Sequence, residues 1–96
     1  MKVLFLEPAR EEFSEAVTFY EEQASGLGAE FIAELEESIG SLETTPALGA
    51  PYIGETRRIP LHRFPYSIVY LVEDDNLVIL AVAHQRRQPG HWKDRI

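Results

Sequence analysis

Tyr66-Ser67-Ile68-Val69-Tyr70-Leu71-Val72-Glu73 and Leu77-Val78-Ile79-Leu80-Ala81-Val82-Ala83-His84 decide how this chain folds. The first segment is β-branched and aromatic, and the second is a nearly continuous apolar run of strand length. Glu73-Asp74-Asp75-Asn76 between them predicts a hairpin turn. Immediately upstream, Thr56–Leu61 reads as a third strand. Its Pro60 has no amide donor, which confines it to an edge or to a position whose N–H is free. Residues 46–56 carry Pro46, Gly49, Pro51 and Gly54 and read as a loop.

Further upstream the apolar period changes from strand to helix. Ala9, Phe13, Ala16, Val17 and Tyr20 recur on one side of a helix that Pro8 can open. Glu11, Glu12, Glu15, Glu21 and Glu22 fill the predicted wet side, and Ser25-Gly26 should end the helix. Leu27, Phe31, Ile32, Leu35, Ile39 and Leu42 form the stripe of a second helix, closed by Thr44-Thr45-Pro46. The short link makes the pair an antiparallel hairpin. Lys2–Glu7 is a short strand with Val3 and Phe5 opposite Leu4 and Leu6, a pattern that fits cover on both faces. The layout is therefore β-α-α-β-β-β, an α+β two-layer sandwich with the helical hairpin on a mainly antiparallel sheet. Gln85–Ile96 is a polar, basic tail with Trp92 as its one large anchor.

Ninety-six residues, 45% apolar, suit one domain over 1–96 with a packed core. With no cysteine there is no disulfide framework, thiolate metal site or cysteine nucleophile. The apolar start is too short for a signal peptide, no stretch reaches the ~20 apolar residues of a membrane span, and the expected location is the cytoplasm. The net charge of −7 is unevenly spread. Residues 1–50 hold eleven glutamates against Lys2 and Arg10, whereas residues 51–96 hold seven Lys/Arg against five Asp/Glu. Such asymmetry separates a solvated scaffold from a binding face.

The cations of the second half form three groups: Arg57-Arg58, His62-Arg63, and His84-Gln85-Arg86-Arg87 followed by His91-Trp92-Lys93-Asp94-Arg95. Guanidinium groups beside rings suit an acidic or polyanionic partner. In a meander, His84–Arg87 share a sheet end with His62 and Arg63. Arg57 and Arg58 lie at the other end and join the group only if the tail folds back or long side chains span the sheet. His62, His84 and His91 match no metal-ligand spacing, and no cofactor is implied. There is no glycine-rich phosphate cradle and no G-x-S-x-G elbow. Glu11-Glu12 and Glu36-Glu37 fall on predicted solvent faces, unsuited to acid/base chemistry.

Several segments, in order, resemble a known family. They are Pro8-Ala9, Glu15-Ala16, Phe19-Tyr20-Glu21, Gly26-Leu27-Gly28, Phe31 and Pro46 in the first half. In the second they are Arg58–Leu61, Arg63-Phe64-Pro65-Tyr66, Val69-Tyr70, the ending Val82–Trp92, and Arg95. Together they are similar to the RelE/ParE toxin superfamily, most of all to ParE-type plasmid stabilisation toxins. The resemblance implies a RelE-like fold and a type II toxin neutralised by a partly disordered antitoxin. ParE-like members inhibit DNA gyrase, whereas RelE-like members cut mRNA in the ribosome.

The RNA cutters carry basic residues along the strands that face the RNA. The comparable positions here are Arg58, Pro60, Ser67 and Arg87, two of which cannot carry charge. Metal-free cleavage needs such cations, each commonly worth ~3–4 kcal/mol in the transition state. An acidic chain is also poorly suited to a phosphate-rich site. The reading that follows is a ParE-like toxin, more a binder than an enzyme, which grips a protein target through Arg63, His84, Arg86, Arg87, His91, Trp92 and Arg95. Its partners would be a cognate antitoxin and DNA gyrase, with neither a membrane nor a specific DNA site. The antitoxin has two candidate docking places, the groove beside Leu27–Leu42 and a free sheet edge. The alternatives are a ribosome-dependent endoribonuclease acting on mRNA through Arg58, Arg87 and His91, and a relative that binds without toxicity.

Overall fold

The computed structural model describes residues 1–96. In chain order it holds β1 (Lys2–Phe5), α1 (Glu7–Gln23), α2 (Leu27–Thr44) and a 3-10 turn at Pro46–Leu48. Then follow β2 (Ala50–Pro51), β3 (Arg57–Pro60), β4 (Tyr66–Glu73), β5 (Asn76–His84) and a second 3-10 turn at Lys93–Arg95. The strands form one mixed sheet in the order β1-β5-β4-β3-β2. β1 runs parallel to β5 and the other pairs are antiparallel. The α+β sandwich expected from the hydrophobic periods is present, with one strand more. Within the predicted loop 46–56, Ala50 and Pro51 pair with Arg58 and Arg57. That addition also explains Pro60. β2 covers β3 only at Arg57 and Arg58, so at Pro60 the strand is an edge and a missing donor leaves no bond unmade.

The two helices meet across a tight joint. Gly26 is left-handed at φ 87°, and its N–H and that of Gly28 both donate to the Glu21 carboxylate. Gly28 packs against α1 so closely that a Cβ would lie 2.9 Å from the Val17 carbonyl oxygen. Only glycine allows that approach. Phe31, Leu35, Ile39 and Leu42 of α2, with Ala9 and Ala16 of α1, are buried against Ile68, Tyr70, Leu77, Ile79 and Val82 of the sheet. Rings dominate this layer. Phe64 lies 4.8 Å from Tyr20 and 5.0 Å from Phe31, edge to face, so it belongs to the core. The cover expected on both faces of β1 is incomplete. Val3 and Phe5 pack under the helices, but Leu4 on the other face of this edge strand is 38% exposed, whereas Leu6 just beyond it packs on the small core of Trp92.

A bulge changes which side β5 presents. Val69 pairs with Ala81, and the next residue, Tyr70, pairs with Ile79, so Leu80 is the extra residue. Leu80 and Ala81 therefore both join a second, smaller core on the far face of the sheet, with Val69 and Trp92. Val82 returns to the helical side. Trp92 is 1% exposed, so the tail folds back over the sheet as a lid of its own.

Candidate functional site

The tail decides where the cations go. Because Gln85–Ile96 doubles back, Arg58 does meet the His84–Arg87 group despite starting at the other end of the meander. Arg58, Ser67, His84, Arg87, His91 and Trp92 all line one cavity of about 50 Å³. The Arg58 guanidinium lies 5.0 Å from the Tyr52 ring centroid, and Tyr52 lies 6.0 Å from Trp92. A cation stacked on a ring is stabilised by the ring's negative face and leaves its N–H groups free at the edge. Tyr52 was not singled out in the sequence, where it sits in a Pro/Gly-rich loop without a periodic pattern.

Arg86 and Arg87 lie on the exposed turn after β5. The turn is set by backbone bonds from Gln85 N–H to Pro65 O and from Arg87 N–H to His84 O. The Arg86 N–H also donates to Nδ1 of His84. Neither arginine side chain has an acidic partner, whereas the other predicted target-binding arginines do. Arg63 is drawn away from the cavity to α2, where it pairs with Glu30 while Glu34 accepts the backbone N–H groups of His62 and Arg63. The hydrogen bond and charge of Glu30 raise the Arg63 pKa above its ordinary value. Arg57 donates to the Gly49 carbonyl at 2.8 Å. No three His, Asp or Glu side chains converge as a metal-binding set.

Arg95 and His91 are held by a residue assigned in the sequence to the solvent face. Glu12 of α1 is only 17% exposed. Its Oε1 accepts from Arg95 Nη1 at 2.9 Å and from the Val82 N–H at 3.1 Å. Its Oε2 lies 3.0 Å from Arg95 Nη2 and 3.0 Å from His91 Nε2. A carboxylate only accepts, so the shared proton is on Nε2 of His91. Burial alone would raise the Glu12 pKa, but the bonds from Arg95, His91 and Val82 together carry it below the usual carboxylate value. The geometry follows from the sheet. β1 stops opposite Ile79, so beyond it β5 has no neighbour on that side. Glu12 and Arg95 satisfy the Val82 N–H and the Leu80 carbonyl left there. One signal could have found Glu12. It lies three residues after Ala9 and four before Ala16, on the buried side of the helical wheel rather than opposite it.

The molecule thus presents a cationic edge here, Arg58 and Arg87 lining a small cavity walled by the tail and Arg86 on the exposed turn beside Arg87. It can grip carboxylates or phosphates from outside. At about 50 Å³ the cavity takes a few waters, against ~300 Å³ where small-molecule sites begin.

Comparison with known proteins gives this surface a context. Residues 3–89 match the family described as ParE toxin of type II toxin-antitoxin system, parDE. Among solved structures, the chromosomal ParDE toxin–antitoxin system from P. aeruginosa superposes with a TM-score of 0.73 at 18% identity, covering 88% of this chain and 95% of that one. The intact E. coli RelBE toxin–antitoxin complex gives 0.63 at 18% identity, over 90% and 98%. The isolated E. coli RelE toxin gives 0.62 at 16% identity, over 98% and 94%. At such identities the structures speak for the fold, two helices on a mixed five-stranded sheet. No curated protein sequence matches significantly. The family match, which spans nearly the whole chain, carries the assignment: this protein belongs to the ParE toxin family of type II toxin–antitoxin systems.

Proposed function

We propose that the chain is a gyrase-directed toxin, acting in the cytoplasm by binding and held inactive by a cognate antitoxin. The observation that carries this reading is the charge pattern beside the cavity. Pro60 and Ser67, at strand positions where RNA-cutting relatives carry basic residues, are neutral, and Ser67 is 4% exposed. What remains is Arg58 on its ring and the unpaired Arg86 and Arg87, enough to grip an acidic protein surface. Purified protein should inhibit gyrase supercoiling, and the double variant Arg86→Ala/Arg87→Ala should lose most of that inhibition. Supercoiling unaffected at saturating toxin would overturn the reading.

One observation favours a second reading. Arg58, Arg87 and His91 line the same cavity, which is the set a metal-independent, ribosome-dependent endoribonuclease would use. That reading predicts codon-phased cleavage of translated mRNA after induction. Intact transcripts during growth arrest would eliminate it.

A further inference from the structure

We propose that Glu12 is a positioning residue for the target-binding edge, locking the tail to α1 and so setting where Arg86 and Arg87 project. The inference rests on the reading that this edge meets the target. Between His84 and Gly90 the chain is held by backbone bonds within its own turn, by the Arg86 N–H on Nδ1 of His84 and by one bond from Gln85 to Pro65, and Gln85–Pro89 are exposed. Beyond that one bond at Gln85, no hydrogen bond from outside the turn fixes the direction of the two arginines. The fixed points come afterwards, at Trp92 in the small core and at His91 and Arg95 on Glu12.

Those two side chains flank Trp92 and are 10% and 14% exposed. Apart from Glu12, the only other side-chain partner either has is the Leu80 carbonyl, which Arg95 reaches at 2.9 Å. Glu12 is therefore the sole polar link between the tail and the helical layer. Without its charge, Arg95 faces burial without a counter-ion and His91 loses its charged acceptor, an arrangement a protein relieves by moving the groups to water. Because they lie on both sides of Trp92, their departure takes the tail with them and lets the Arg86-Arg87 turn swing.

The protein's one tryptophan reports this directly. In Glu12→Gln, Trp92 emission should shift to the red and acrylamide quenching should increase, while far-UV circular dichroism keeps the helical signal. Inhibition of gyrase supercoiling should weaken about tenfold in Glu12→Gln. In an Arg86→Ala/Arg87→Ala background the same substitution should weaken inhibition no further, since there is nothing left to position. A purely structural loss would add in both backgrounds. Unchanged Trp92 emission and quenching in Glu12→Gln would overturn the inference whatever the target is. So would released Trp92 with undiminished inhibition. Full inhibition by Arg86→Ala/Arg87→Ala would instead remove the reading of the edge, and the positioning role with it, while the Trp92 measurement still reports whether Glu12 anchors the tail.

Discussion

Arg95 and Glu12, 83 positions apart, form a two-point pair with Nη1–Oε1 at 2.9 Å and Nη2–Oε2 at 3.0 Å. It joins the end of the chain to its first helix across the unpaired half of β5. Parallel N–H···O bonds of this kind are about twice as strong as neutral ones and fix orientation as well as distance.

The pair makes stability depend on pH in a defined direction. The Glu12 pKa in the folded chain lies below the ordinary carboxylate value of ~4.3. Its contribution is therefore fully present above that value and is lost as pH falls through the lower folded pKa. Urea midpoints of the native protein should exceed those of Glu12→Gln at pH 7, and the two should converge in acid. A difference constant from pH 7 to pH 3 would show that the charge on Glu12 is not what stabilises.

Trp92 closes a core separate from the one beneath the helices. Trp92→Ala should destabilise by ~3–5 kcal/mol, measured by urea denaturation followed in the far ultraviolet. A loss below ~1 kcal/mol would mean that the tail does not unfold with the rest of the chain.

Tyr70 ties the loop before β2 to the sheet. Its hydroxyl donates to the Pro46 carbonyl at 2.6 Å and accepts the buried Gly49 N–H at 3.0 Å. Tyr70→Phe leaves that N–H without an acceptor and should cost ~1–3 kcal/mol. Protection of the Gly49 amide against hydrogen exchange should fall in the same variant.

Arg63 offers a control for the cationic edge. It is exposed and paired with Glu30 on α2, away from the cavity. Arg63→Ala should leave gyrase inhibition within twofold of the native protein, since an exposed pair contributes little. A loss equal to that of Arg86→Ala/Arg87→Ala would extend the target surface to α2.

How much of this was legible beforehand follows from the range of the interactions. The hairpin of β4 and β5, the helical pair and the Gly26 joint rest on neighbours within a few residues, so periods and turn residues announced them. β2 was hidden because two residues, one of them a proline, carry no pattern, and only the facing β3 makes them a strand. Glu12 was misplaced because a glutamate among glutamates reads as solvated until its partners, 70 to 83 positions away, are known.

Composition and hydrophobic period by themselves determined the two-layer architecture, the helix and strand faces, and the clustering of cations in the second half. They did so because secondary structure answers to local sterics and to the sorting of apolar from polar side chains. Which cations stay free was decided only by the tertiary structure. Pairing depends on distance in space, and the fold brought Glu12 to Arg95 and His91 and Glu30 to Arg63, while leaving Arg58, Arg86 and Arg87 without a carboxylate.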